Sequence, residues 1–292
     1  MLSDEIVITG KRAMARSYAK INLTLDVLGR RENGYHDVEM IMQTVSLFDL
    51  VIVDKSAGPI SVKTNLSYLP DNDKNIAYKA AKLFFDYTKI KSSVKIMIHK
   101  NIPVAAGLAG GSGNAAAVLC AMDKLYGTEM PPEELMKLGA SLGADVPYCI
   151  LGGTAVASGI GEILTPIKPM KKTYILLVKP PVNISTAAIY EEIDSADILL
   201  HPDTQAMQKA IAENDIKRIS QNLCNVMESV TEKQCPVISG IKKKMLLNGA
   251  KGALMSGSGP TVFGIFDDYA KAKRSHDSFS RQYKDTFLVT TI

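Results

Sequence analysis

The sequence predicts an α/β chain (α+β in its order of elements) built as two domains, and three stretches carry that prediction. Residues 17–28 alternate apolar and polar positions as a half-buried strand does. Residues 107–113 hold four glycines immediately ahead of an alanine-rich helix. Beyond residue 165, strands and amphipathic helices follow in an order that resembles a βαββαβ unit with added helices. At 292 residues, two domains fit better than one large core. A hydrophobic fraction of 46% leaves no room for a long disordered tail.

In the first strand Ala19, Ile21, Leu23, Leu25 and Val27 line the apolar face, and Lys20, Asn22, Thr24 and Asp26 the polar one. The dipeptide Asn33-Gly34 is a turn signal, so a second strand over residues 38–45 completes a hairpin, with Tyr35 and His36 just past its turn. Asn75 reads as the N-cap of a helix whose apolar face holds Ile76, Ala80, Leu83, Phe84 and Tyr87. Residues 94–98 read as a strand, residues 114–125 as a buried helix, and residues 131–142 as a helix stopped by Gly143. Thr165-Pro166, Pro169 and nearby lysines mark a connection, which sets domains at residues 1–164 and 165–292. In the second domain strands fall at residues 174–178, 252–255 and 261–266 and near Phe287, with a glycine-rich loop at 257–260 and a helix at 269–282. The residues before Ala13 read as a simple extension.

Composition excludes several classes of function. A net charge of +4 with scattered Lys and Arg gives no support for nucleic-acid binding, although it suits an anionic small molecule. The four cysteines contain no CxxC pair and the four histidines no HExxH, so neither a disulfide framework nor a protein-built metal site is expected. The opening Met1-Leu2-Ser3-Asp4-Glu5-Ile6 has no signal-like apolar run and no segment is long enough to span a membrane, so a cytoplasmic location is expected.

The glycine loop points to chemistry. Glycines let backbone N–H groups approach an anion, and the helix that follows adds the positive end of its dipole, so a nucleotide polyphosphate is the natural tenant. There is no GK[ST] ending, so this is not a Walker loop; residues 111–116 match a loose GxGxxA pattern but do not follow directly on a strand, as a dinucleotide site requires. Phosphoryl transfer needs the acceptor hydroxyl oriented and the developing charge neutralised, tasks that suit an aspartate and a cation. Asp145, in Gly143-Ala144-Asp145-Val146-Pro147, reads either as such a group or as the N-cap ahead of Pro147. Lys20 reads either as its partner or as an ordinary solvated lysine.

Three segments resemble the signatures of the GHMP kinases: Ala19-Lys20-Ile21-Asn22-Leu23, the run from Ile102-Pro103 to Ala116, and Ser256-Gly257-Ser258-Gly259-Pro260-Thr261-Val262-Phe263. Their order and spacing agree along nearly the whole chain. Gly29-Arg30-Arg31, Asn33-Gly34-Tyr35-His36 and Gly161-Glu162-Ile163-Leu164 are similar to the branch whose acceptor is a cytidine diphosphate derivative of methylerythritol, in the non-mevalonate route to isoprenoid precursors.

The resemblance implies an N-terminal domain of the ribosomal-protein S5 type, a ferredoxin-like C-terminal domain and an active-site cleft between them. It implies ATP as phosphoryl donor, with Mg2+ carried by the nucleotide, and no obligatory protein partner. Asp145 would be the general base and Lys20 its partner at the hydroxyl. Pro103, Val104, Ala105, Ala106, Gly107, Leu108, Ala109, Gly110, Gly111, Ser112 and Gly113 would form the ATP loop, with Asn75 and Lys100 near the adenine. His36 would bond the cytosine, Tyr35 and Tyr190 would sandwich it, and Asn22 and Thr186 would touch the substrate. Two departures stand out: Gly113-Asn114 where the family usually carries a second serine, and Ala105 and Ala106 where glycine is common. Two other readings remain open at this level, a kinase of the same fold with a different acceptor and a non-catalytic relative.

Overall fold

In a computed structural model, which describes residues 2–292, the chain divides into two compact units that interleave along the sequence. One holds the residues up to Ala19 together with Leu47–Val104 and Ala109–Gly152; the other holds Lys20–Ser46, Ala105–Leu108 and Gly153–Ile292. After a short strand β1 (Val7–Thr9), the long strands β2 (Arg12–Arg30) and β3 (His36–Ser56) each run from one unit into the other. Both are much longer than their sequence pattern suggests.

In the first unit β4 (Ser61–Thr64), α1 (Ile76–Thr88) and β5 (Ser93–His99) come next, and the strands stand in the order β1-β2-β3-β5-β4. β5 is antiparallel to β3, and β4 is parallel to β5. The segment before Ala13 is not a loose extension. Its strand pairs with β2, Leu2 is buried in the core, and Glu5 accepts a bond of 2.7 Å from the Tyr18 hydroxyl. Asn75 caps α1 as expected, accepting from Ala77 N–H at 2.9 Å. The buried face of α1 is Ala77, Ala80, Ala81, Phe84 and Phe85, whereas Tyr87, expected inside, is half exposed because its position on the 3.6-residue period turns it away from that stripe.

α2 (Gly110–Tyr126) starts four residues earlier than the alanine run predicts, so Gly110, Gly111 and Gly113 form its first turn instead of a loop. Every residue from 113 to 123 is buried, which explains the small side chains: a helix enclosed on all sides needs neighbours such as α1 to approach closely. α3 (Pro132–Ala140) ends at Ser141, before Gly143, and α4 (Val146–Leu151) follows.

In the second unit β6 (Thr154–Ser158) pairs antiparallel with β3 and with β7 (Ile163–Pro166), so Thr165-Pro166 lies in a strand and not in a linker. The remaining elements are β8 (Tyr174–Lys179), α5 (Thr186–Ile193), α6 (Thr204–Glu213), α7 (Ile216–Gln221), β9 (Cys224–Asn225), α8 (Val226–Gln234), α9 (Val237–Leu247), β10 (Gly252–Met255), β11 (Val262–Phe266), α10 (Tyr269–Ser280) and β12 (Asp285–Thr290). β10, β11, β8 and β12 form an antiparallel sheet in that order, the ferredoxin-like arrangement anticipated for the C-terminal half.

The polar face of β2 is covered too, which corrects its reading as half-buried: Lys20, Asn22, Thr24 and Asp26 are all buried. Burial of polar groups is tolerable because each is bonded. Lys20 Nζ donates to Asn22 Oδ1 at 2.7 Å, Thr24 Oγ1 accepts from Ile41 N–H at 2.9 Å, and Asp26 binds its neighbour Val27 N–H and the His201 ring, each at 2.8 Å. β9 lies parallel to β2 beside Thr24 and Leu25, closing over this stretch.

Candidate active site

Within the second unit, residues from all three signature segments meet. The backbone N–H of Lys20 donates to Leu108 O at 3.2 Å, stitching β2 to the glycine loop. The Asn22 amide, which receives Lys20 on one side, points its Nδ2 at Met40 Sδ, 3.0 Å away. Gly107 has φ +72°, and a Cβ built there would lie 2.1 Å from the carbonyl oxygen of Ser256, so only glycine fits. Ser256 Oγ donates to Gly107 O at 2.9 Å, and Ser258 Oγ shares a 2.7 Å bond with Thr186 Oγ1 at the start of α5. This brings Lys20, Asn22, Gly107, Leu108 and Thr186 around the 256–259 turn.

Two residues outside the predicted set hold that turn. Asn225 caps α8 with its side-chain oxygen and donates Nδ2 to Met255 O at 2.9 Å and Gly257 O at 2.8 Å. Buried Glu228 accepts from Met255 N–H at 2.7 Å; burial pushes its carboxyl above the usual range, and the adjacent Lys242 ammonium works against that shift. Asn225 carried a readable signal, a cap residue directly ahead of a helix; Glu228 carried none.

The first unit holds Asp145, Asn75, Lys100, Pro103, Val104 and the loop residues from Ala109 to Gly113, whereas Ala105 and Ala106 belong to the second. Asp145 occupies the N-cap position of α4 with helical backbone angles, yet its side chain makes no capping bond. Of its two readings from sequence, the cap is the one its side chain does not fulfil. Pro103 and Val104 lead from β5 toward the glycines, and Ala105 and Ala109 adopt left-handed φ values of +51° and +55°. The alanines therefore keep a glycine-like backbone at a cost of about 1 kcal/mol or more each. Gly113 packs closely on β2: a Cβ there would lie 2.5 Å from Ser17 Oγ, so a second serine would require the Ser17 hydroxyl to move.

Asn75 and Lys100, placed near the adenine by resemblance, both have side chains committed locally. Asn75 caps α1 and donates Nδ2 to Pro70 O at 2.7 Å. The Lys100 ammonium is buried in an ion pair with Asp49 and donates to Asn114 Oδ1 at 3.1 Å.

At the hairpin end, back in the second unit, Arg31 and Tyr35 close the turn and Tyr35 is 59% exposed. His36, the first residue of β3, is buried; its Nε2 donates to Asp194 Oδ1 at 2.6 Å, and its ring stacks on Tyr190 with centroids 4.7 Å apart. Arg30 reaches the other Asp194 oxygen at 3.1 Å. The His36 bond, and then Arg30, hold the Asp194 carboxyl below its ordinary value of 3.8. A depressed carboxyl stabilises the fold above its unfolded pKa and loses that contribution as pH falls through the folded value. The melting-temperature gap between the wild type and Asp194→Asn should therefore persist from neutral pH down to the ordinary aspartate range and close below it, as a pH series of thermal melts would show.

The fold and the three converging segments define a small-molecule kinase, and the comparisons agree. The chain matches the GHMP kinases N-terminal domain over residues 75–153 and the GHMP kinases C-terminal domain over residues 207–285, and it belongs to the GHMP kinases. By that membership it is an ATP-dependent small-molecule kinase. It is 49% identical over 277 residues to the 4-diphosphocytidyl-2-C-methyl-D-erythritol kinase of Clostridium novyi (strain NT), covering 95% of this chain and 99% of the relative. It is 51% identical to the enzyme of that name from Lachnoclostridium phytofermentans, covering 94% and 95%. Among solved structures it is similar to a 4-(cytidine 5'-diphospho)-2C-methyl-D-erythritol kinase at 30% identity, with a TM-score of 0.81 over 95% of this chain and 98% of the other. A homoserine kinase from Cytophaga hutchinsonii, at 16% identity and a TM-score of 0.75, covers 98% of this chain and 96% of its own and shares the fold.

Proposed function

We propose that the protein transfers the γ-phosphoryl group of ATP to the C2 hydroxyl of 4-diphosphocytidyl-2-C-methyl-D-erythritol, giving the 2-phosphate and ADP in the non-mevalonate route to isoprenoid precursors. The observation that carries the reading is the meeting of Lys20, Asn22, Gly107, Leu108 and the 256–259 turn in one unit that also holds the His36–Tyr190 stack, in a chain whose full-length relatives bear this enzyme's name.

Asp145 takes the proton from the acceptor hydroxyl as its oxygen bonds to the γ-phosphorus and the bridging P–O bond to ADP breaks. Lys20 offsets the developing charge. Residues 103–113 bind the phosphates through backbone N–H groups, with Asn75 at the adenine end. His36 bonds the edge of the cytosine, Tyr35 and Tyr190 flank it, and Asn22 and Thr186 contact the substrate. Aromatic stacking supplies about 1–3 kcal/mol per base.

A magnesium ion ligated by the triphosphate and water would accompany the nucleotide. Ser112, in the first turn of α2, is the hydroxyl that would meet it, and the ion would neutralise phosphate charge. Functional domains at 1–164 and 165–292 place the boundary between the two matched family segments. No helix among the described residues is long and apolar enough to cross a membrane. Thiols at Cys120, Cys224 and Cys235 that form no disulfide suit the reducing cytoplasm, where we place the reaction.

The test is ADP release by the purified protein with Mg-ATP and, separately, 4-diphosphocytidyl-2-C-methyl-D-erythritol, homoserine, mevalonate and galactose. Turnover confined to the cytidine compound is expected; preferential turnover of any other acceptor would overturn the substrate assignment.

A further inference from the structure

One buried carboxylate in the first unit ties together both ends of the glycine loop. Asp49, on β3, is fully buried; its Oδ1 accepts the consecutive backbone N–H groups of Asn101 and Ile102 at 2.7 and 2.8 Å, at the exit of β5. Its Oδ2 accepts Asn114 Nδ2 at 2.8 Å, from the second turn of α2, and pairs with the Lys100 ammonium. Lys100 closes the triangle by donating to Asn114 Oδ1 at 3.1 Å. The loop's entry, its exit and β3 are thus held by three mutually bonded side chains.

Simple stability does not account for this arrangement. A buried ion pair contributes little beyond what apolar residues of the same volume would, though breaking one is costly. Position does account for it. Gly110, the first residue of α2, approaches so closely that a Cβ there would lie 3.2 Å from Lys100 Nζ and 3.0 Å from Ile102 Cγ2. An ammonium at a helix N-terminus opposes the helix dipole, and the Asp49 carboxylate beside it cancels that opposition. Between the two anchored ends Ala105 and Ala109 hold left-handed angles, a conformation that lasts only where its surroundings over-determine it.

We propose that Asp49 and Lys100 are positioning residues for ATP: their ion pair, locked by Asn114, fixes the loop in the shape that receives the triphosphate, and Lys100 acts through this clamp and not by touching the adenine. This inference rests on the reading of residues 103–113 as the phosphate loop.

The test measures affinity for ATP and for inorganic tripolyphosphate, which has no base, together with the acceptor KM. In Lys100→Met, both phosphate ligands should weaken together by about tenfold, the scale on which a lost supporting contact acts, with the acceptor KM within about twofold of wild type. The double variant Asp49→Asn/Lys100→Met should bind ATP better than Asp49→Asn, because no lone ammonium remains buried. Where Asp49→Asn does not fold, Lys100→Met carries the test alone. Weakened ATP with unchanged tripolyphosphate would put Lys100 on the base and overturn the clamp; no loss at all, or an equal loss for the acceptor, would reduce the network to packing. Gly111→Ala tests the loop reading separately. Its Cβ meets only Ile76 Cγ2, at 3.9 Å, so the fold should accommodate it, and undiminished tripolyphosphate binding there would sink the phosphate loop itself.

Discussion

Asp145→Asn is expected to lower kcat by roughly a hundred- to ten-thousand-fold, the range that general-base catalysis supplies, while the ATP KM stays close to wild type. The Asp145 side chain makes no capping bond to α4, so the substitution removes no cap, and asparagine is itself an accepted residue at that position. What changes is basicity: an amide oxygen cannot take the acceptor proton. Steady-state kinetics and a thermal melt on the same preparation separate the alternatives. A normal kcat would end the base assignment, and a large drop in melting temperature would return Asp145 to a structural role. Lys20→Ala should also be severely impaired. That variant takes away both a charge and the 2.7 Å donor to Asn22, so it cannot apportion the loss between them.

Local signals were readable in the sequence, and long-range ones were not. The hairpin turn at Asn33-Gly34, the Asn75 cap and the strand and helix order of the C-terminal sheet each depend on residues within a few positions of one another, and the structure has all three. The length of β3 was missed because its extra residues from 50 to 56 are held by β5, a partner about forty residues along the chain. The start of α2 was missed for a related reason. Three glycines argue against helix by propensity, and the close approach of Gly110 to Ile102 and Lys100 overrides them. Lys20 and Asp145 stood out by type and motif. Asp49 did not: a single aspartate between Phe48 and Leu50 has no local signature, and the groups it binds lie 51, 52, 53 and 65 residues away.

Gly107→Ala should be the most damaging single-methyl change in the molecule. The added carbon would sit 2.1 Å from the Ser256 carbonyl oxygen and 3.2 Å from that of Gly259, both backbone atoms, so no side-chain rotation relieves the clash. Overpacking of this kind costs about 1–3 kcal/mol, and the left-handed φ of +72° adds roughly 1–2 kcal/mol for a residue with a Cβ. The relaxation open to the chain is to separate the loop from the 256–259 turn, which breaks the 2.9 Å bond from Ser256 Oγ to Gly107 O and disturbs Lys20 through its bond to Leu108. Displacements of about 1 Å in catalytic groups can cost a hundredfold in rate, so kcat/KM should fall by about that factor even where the protein stays folded. Gly240→Ala supplies the contrast. It lies inside α9 with nothing within 4 Å of its Cβ position, and there the same methyl should stabilise by roughly 0.5–1 kcal/mol and leave turnover unchanged. If Gly107→Ala behaved like Gly240→Ala in melting temperature and kcat/KM, the contact between the loop and the 256–259 turn would have no part in shaping the site.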